Sequence, residues 1–191
     1  HRHSSHVLAL FPLDQVSYTR QPELMASCRK SLESQTSDPA WEDTEWSTAN
    51  MLCFYARLKD GQGAHGWLQN LFHRFMRENL MTVSPAGVAM AEEDIFSFDA
   101  TEGGVAGMCE MLLQCYDGAL EFLPALPSQW KDGSVKGLCA HDGLVVDIDW
   151  KNGRPVTASI KSTAKDCSVK VKGFDKPFDI SKGDTVKIKF S

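Results

Sequence analysis

Three places along the chain concentrate side chains able to do chemistry. The first is the opening run His1-Arg2-His3-Ser4-Ser5-His6. Histidines two and three residues apart can share a metal ion, but a zinc site needs three or four ligands and no matching Cys or His pair follows. A polar pocket wall is the preferred reading of that segment. The second place is Asp99, which Phe96-Ser97-Phe98 delivers to the start of a helix, with Gly103-Gly104 permitting close backbone approach beside it. A carboxylate there suits general-base work, and Asp99 or Thr101 equally suits a helix cap. The two roles can coexist, because helix N-termini stabilise carboxylates. The third is the turn Leu123-Pro124-Ala125-Leu126-Pro127.

The elements that must hold these groups follow from periodicity. Pro22 sits where a helix would begin, and Leu24, Met25, Cys28 and Leu32 repeat at helical spacing behind it. After a polar loop over residues 35–45, a second helix is expected over about 46–59, ending at Asp60-Gly61. Ala64, Trp67, Leu68, Leu71, Phe72 and Phe75 form one stripe of a third helix over about 62–78. Residues 80–102 show no period and read as a long loop, a feature uncommon in a compact region unless it serves function. Val105, Met108, Cys109, Leu112, Leu113 and Tyr116 then spell a fourth helix, with Gly118 placed to end it.

From residue 119 the period changes from 3.6 to 2. Leu144–Trp150 alternates, Asn152-Gly153 supplies a type I′ turn, and Pro155–Ile160, Ser168–Val171 and Thr185–Phe190 add further strands. Helices first and antiparallel strands afterwards imply α+β segregation, with domains at 1–118 and 119–191. Trp130 and Trp150 are expected to supply apolar anchor area between the strands and the helical layer.

Charge supports that division. Residues 1–118 hold 8 Lys+Arg against 16 Asp+Glu, and residues 119–191 hold 12 against 9, within a total of −5. A net negative chain argues against a nucleic-acid partner. The alternating Lys170, Lys172, Lys187 and Lys189 read as the wet face of strands, not as an anion patch. No apolar run approaches the length of a membrane span. Six cysteines lie at 28, 53, 109, 115, 139 and 167 without a C-x-x-C spacing; Cys28, Cys53 and Cys109 look like small buried hydrophobes, and disulfides stay open. The chain opens without an initiator Met, and we read His1 as a cut within a longer chain.

Taken together in order, these segments resemble glycoside hydrolase family 95, chiefly 1,2-α-L-fucosidases with some α-L-galactosidases. His1 through Pro12 match the family's H-R-H-x-S-H lead; residues 22–33, with Pro22, Glu23, Leu24, Ala26, Ser31 and Leu32, echo its P-E-L stretch. Trp46-Ser47 and Ala56-Arg57-Leu58-Lys59-Asp60-Gly61 match part of its W-S…A-R-L-x-D-G segment. Phe96 through Gln114 align with F-Q-I-D-G-N-F-G-G-x-A-G-I-A-E-M-L-L-Q, and Phe122 through Leu138 with L-L-P-A-L-P-x-x-W-x-D-G-S-V-K-G-L.

The resemblance implies the C-terminal helices of an (α/α)₆ barrel followed by a small antiparallel β-sandwich-like domain. It also implies an inverting exo-glycosidase acting on terminal α-L-fucosyl or α-L-galactosyl residues of glycans. In that mechanism an acid protonates the leaving oxygen while a carboxylate activates water, the two standing roughly 6.5–9.5 Å apart. The family's base aspartate corresponds to Asp99, and its sugar-contacting Arg-His pair to Arg2 and His3. Its acid glutamate and two assisting asparagines lie upstream, so this stretch alone is expected to be inactive. No cofactor or metal is required. The resemblance implies a glycan partner, with no nucleic acid or membrane expected, and a secreted or extracytoplasmic setting.

The departures fall around Asp99. The family's Gln is Ser97, and its G-N-F is Ala100-Thr101-Glu102, so an acid replaces an aromatic wall beside the base. Tryptophan-rich positions of the second helix become Asn50, Phe54 and Tyr55. These changes bear on the choice of sugar, not on the fold. The competing reading is a non-catalytic carbohydrate-binding or structural relative.

Overall fold

The computed structural model describes residues 2–190, Ala89 through its backbone alone. The chain divides into two compact units, His1–Glu110 and Met111–Ser191. The first is helical. Helix α1 (Pro22–Ser37) opens on Pro22, where a missing N–H costs nothing. Helix α2 (Glu45–Arg57) opens on a reciprocal cap: Ser47 N–H donates to Thr44 Oγ1 at 3.2 Å, and Thr44 N–H donates to Ser47 Oγ at 2.8 Å. Helix α3 (Gly61–Asn70) is capped by Asp60, which accepts from the Gly63 N–H at 2.8 Å.

The third helix differs from the continuous stripe expected. After Asn70 the backbone widens into a π-helical turn, Leu71–Phe75, which still buries Leu71 and Phe75. The loop expected over 80–102 also holds structure. Strands β1 (Val83–Ser84) and β2 (Ile95–Phe96) pair antiparallel, Val88–Met90 forms a 3₁₀ turn, and helix α4 (Phe98–Leu112) has already begun at Phe98. Two-residue strands are too short to print an alternating pattern on a sequence. Val7, Leu10, Met25, Leu32, Met51, Phe54 and Leu58 form the main helical core, and Ala49, Leu71, Phe75 and Ala100 a second cluster.

The second unit is built from sheets. Strands β3 (Leu113–Tyr116), β4 (Ala119–Phe122), β8 (Cys167–Val171) and β9 (Phe178–Ile180) form one, in the order β3-β4-β8-β9. Strands β5 (Gly133–Ala140), β6 (Leu144–Lys151), β7 (Arg154–Ser162) and β10 (Thr185–Lys189) form the other, in the order β10-β7-β6-β5. The helix expected to run through Tyr116 ends instead at Leu112. Asp117 and Gly118 both take positive φ, 57° and 73°, and turn β3 into β4 as a hairpin. A D-G dipeptide between apolar residues is a hairpin signal, and it wins over the helical spacing of Leu112, Leu113 and Tyr116. Asn152 and Gly153 turn β6 into β7 in the same way, as the sequence predicts.

One pairing departs from the antiparallel expectation: β4 and β8 run parallel. The described residues therefore form an α+β protein with mixed sheets. Val146, Ile148 and Ile160 fill the interior of the second unit. Trp150 packs flat on Gly133, where a Cβ would meet its ring at 2.3 Å, and its Nε1–H donates to the Trp130 carbonyl at 2.9 Å. Among the described residues no helix is long and apolar enough to cross a membrane.

Candidate functional site

Asp99 lies in the first turn of α4 and is exposed to solvent. Its position is set by neighbours that are not. The Thr82 Oγ1 hydroxyl, in a fully buried residue, lies 2.5 Å from the Ser97 carbonyl and 2.7 Å from the Thr101 hydroxyl. The Ser97 N–H donates to the Thr82 carbonyl at 2.9 Å. Thr82 thus clamps the chain on both sides of Asp99, and Thr101 serves that clamp. On the inner face Ala100 is fully buried beside Ala49 of α2. A Cβ on Gly103 would stand 2.9 Å from the Ala49 Cβ, so the Gly103 side of the helix serves helix–helix contact. Glu102 remains exposed one turn after Asp99.

The opening segment is held from α1. The Gln35 amide Nε2 donates to the His3 carbonyl at 2.9 Å, and the Ser4 hydroxyl donates to Gln35 Oε1 at 3.1 Å. Arg2 pairs through Nη1 with Glu42 Oε2 at 2.9 Å. His3 instead lines a cavity of about 440 Å³ together with Ser4, Ser5 and Leu8. The opposite wall comes from α2, where Trp46, Asn50 and Phe54 project at intervals of one turn. His1 lies outside the described residues. Among the described residues no three His, Cys, Asp or Glu side chains gather as a metal site would require.

Of the three residues singled out from sequence, the structure brings only His3 into this cavity. Arg2 is engaged by Glu42, and Asp99 stands on a different helix, α4. Sequence reasoning missed Glu42, Gln35 and Thr82 as the residues that hold these groups. The acidic cluster Glu42-Asp43 in the loop before α2 was the one available signal; nothing marks a buried threonine such as Thr82.

Other matched motif residues prove structural. Arg57, 4% exposed, pairs with Asp14 at 2.7 Å and with Glu110 at 3.7 Å. Asp60 caps α3 and accepts from Arg29 at 2.7 Å. Burial pushes the Asp60 carboxyl up, but the Gly63 N–H and the Arg29 guanidinium outweigh it and hold the group below the usual carboxylate range. None of the six cysteines is joined in a disulfide.

A carboxylate presented on a clamped helix turn, and an aromatic and polar cavity elsewhere in the same unit, are the two chemically capable places in the helical unit. Residues 1–112 match the glycosyl hydrolase family 95 catalytic domain, and residues 114–190 match the glycoside hydrolase family 95 C-terminal domain. The chain belongs to glycoside hydrolase family 95. It is 31% identical over 168 residues to alpha-L-fucosidase 2 of Arabidopsis thaliana, a stretch covering 82% of this chain and 18% of that protein. The chain thus spans less than a fifth of that relative's length.

Proposed function

We propose that this chain supplies the base half of an inverting exo-glycosidase that removes terminal α-L-fucosyl or α-L-galactosyl residues from glycans. The observation that carries this reading is Asp99: an exposed carboxylate on a helix turn fixed by the buried Thr82, within the segment matched to the catalytic domain. Asp99 takes a proton from water as that water attacks the anomeric carbon from the face opposite the leaving group. A carboxylic acid outside residues 1–191 protonates the leaving oxygen, at the separation that leaves room for the water. In this reading residues 1–118 complete an (α/α)₆ barrel, residues 119–191 form its β domain, and the glycan is met in a secreted or extracytoplasmic setting.

His3 contributes a pocket wall, and Arg2, oriented by Glu42, contacts sugar and acid. Ala100-Thr101-Glu102 beside the base favours a sugar bearing a hydroxymethyl group where fucose bears a methyl, because a carboxylate accepts a hydrogen bond from that hydroxyl which a methyl group cannot give. The rival reading, sugar binding without hydrolysis, draws on the cavity, whose lining includes neither Asp99 nor Arg2.

In the longer protein this reading calls for, Asp99→Asn is expected to lower turnover of terminal α-L-fucosides or α-L-galactosides about 10²–10⁴-fold with the fold retained. Near wild-type turnover in the folded variant overturns the assignment. NMR of the first-formed sugar reads the anomer; retention of configuration overturns the inverting mechanism.

A further inference from the structure

The helix turn that carries Asp99 is seated from one side by the π-helical turn Leu71–Phe75. Leu71 and Phe75 form one buried cluster with Ala49 of α2 and Ala100 of α4. A Cβ on Gly104 would stand 2.8 Å from Leu71 Cδ2, so the contact with α4 is close. The wide turn closes through the Met76 N–H, which donates to the Leu71 carbonyl at 3.1 Å, five residues back. Such turns are rare outside single-turn insertions at functional sites. One persists only where side chains around it favour it over the tighter α-helical turn. Asp43, in the loop before α2, is placed to do so. Its Oδ1 accepts from the Thr48 hydroxyl at 2.6 Å, and its Oδ2 accepts from Asn70 Nδ2 at 2.8 Å and from Arg74 Nη1. Asn70 Nδ2 also donates to Thr48 Oγ1 at 3.1 Å.

Arg74 is fixed twice, by the Asp43 carboxylate and by the Phe75 ring, whose centroid lies 4.9 Å from the guanidinium carbon. One carboxylate therefore grips Asn70, the last residue of α3, and Arg74 inside the π turn, from a loop fastened to α2 by Thr48. Thr48, Ala49, Leu71, Phe75 and Ala100 are each at most 1% exposed, so this path from Asp43 to α4 runs inside the helical unit and leans on no open surface. The π turn also reaches the Thr82 clamp, because Met76, directly after it, pairs with Thr82 as an antiparallel bridge. We infer that Asp43 is a positioning residue for Asp99: it holds the π turn, and the π turn seats the first turn of α4. It acts through Leu71 and Phe75, not on the reacting atoms. The catalytic consequence rests on the reading of Asp99 as the base; the tie from Asp43 to α4 does not.

The first test uses the whole 191-residue chain carrying Asp43→Asn. The amide keeps the size but offers one acceptor oxygen where three donors converge, one of them a guanidinium. Amide hydrogen exchange read by mass spectrometry is expected to quicken at least about tenfold over residues 71–76 and 98–104, with the middle of α1 and the β6–β7 ladder unchanged. In the longer protein, Asp43→Asn is expected to lower kcat at least about tenfold and to leave KM within about twofold, because a displaced base spoils the attack on bound sugar and not its binding. In the Asp99→Asn background the same substitution is expected to lower turnover no further.

Unchanged exchange over 71–76 and 98–104, or an equal rise across the whole helical unit, overturns the inference. So does a loss of turnover that multiplies with that of Asp99→Asn, which a general destabiliser produces and a positioning residue does not. Should Asp43→Asn fail to fold, Arg74→Ala cuts the tie at the π turn alone and is read by the same exchange and kinetics; wild-type behaviour there overturns the inference. Turnover lost in Asp99→Asn with no local exchange response to Asp43→Asn sinks the positioning role alone. A local response with Asp99→Asn still turning over sinks the catalytic reading and leaves the tie from Asp43 to α4 standing.

Discussion

The two units of this chain bury their apolar residues to very different degrees. Among the described residues, fifteen large hydrophobic side chains are exposed, and thirteen of them lie in the helical unit; the β unit contributes only Val156 and Phe174. Ile95, Phe96 and Phe98 are exposed apolar residues within four positions of Asp99 in the chain, and Val105 is another on α4. In the β unit two sheets enclose an interior of alternating residues, so each strand's apolar face has its cover within about 80 residues of chain. The helical unit covers some faces of α2 and α4 and leaves others to solvent. The lesson is that the two units differ in closure: the β unit covers its apolar faces within itself, whereas the helical unit leaves apolar side chains uncovered in a chain that spans under a fifth of its relative's length.

The sharpest way to break this comparison is thiol chemistry. Burial, followed by the nearby Glu110 carboxylate, pushes the Cys53 thiol up to about 12. Raising a thiol from its ordinary 9.0 lowers its thiolate population about a thousandfold at neutral pH, before access is counted. Cys139, on the β unit, is exposed. Alkylation at pH 8 followed by peptide mass spectrometry is expected to mark Cys139 within minutes and Cys53 only after denaturation. Rapid labelling of Cys53 in the native protein would show that the helical core opens far more readily than its packing implies.

Next in size is a pair of substitutions, one in each unit. Ile148 is 1% exposed at the centre of β6, so Ile148→Ala should cost about 2–5 kcal/mol. Val105 is 52% exposed on α4, and Val105→Ser should change stability by no more than about 0.5 kcal/mol. Denaturant unfolding of both variants reads the contrast; a large loss from Val105→Ser would mean that the α4 face is covered in solution.

Thr82→Val tests the clamp around Asp99. It strips a buried hydroxyl from the Ser97 carbonyl and the Thr101 hydroxyl, an expected loss of about 1–3 kcal/mol. Hydrogen exchange should rise at the first turn of α4 and not across the β6–β7 ladder. Uniform protection changes would disprove a local role.

The smallest effect concerns acid. The Asp60 carboxyl is held below its unfolded value, so its contribution is present at neutral pH and is lost as pH falls through the folded value. Asp60→Asn keeps a competent cap and removes the charge facing Arg29. The pair is partly exposed, so the neutral-pH loss should stay below about 1 kcal/mol, with the two proteins converging once pH falls below the folded value. A stability gap that persists at that pH would assign the effect to the cap instead.

Much of the architecture was legible because it is local. Pro22, the Asn152-Gly153 turn and the period-2 runs of β6, β7 and β10 depend on a few neighbours in sequence, and each stands where its pattern places it. The motif around Asp99 was likewise readable as a carboxylate entering a helix. The misses have two causes, a local turn that outranks helical spacing and partners far away in the chain. Leu112, Leu113 and Tyr116 satisfy a helix and a hairpin alike, and the Asp117-Gly118 turn into β4 chose the hairpin. The parallel match of β4 with β8 joins residues about fifty positions apart, a separation no period can announce. The same holds for function: chain order placed His3 and Asp99 on the list of candidates. Only tertiary packing seated His3 with Trp46, Asn50 and Phe54, tied Arg2 to Glu42, and made a buried threonine the keeper of Asp99, because contacts between residues far apart in sequence are decided by which surfaces exclude water together.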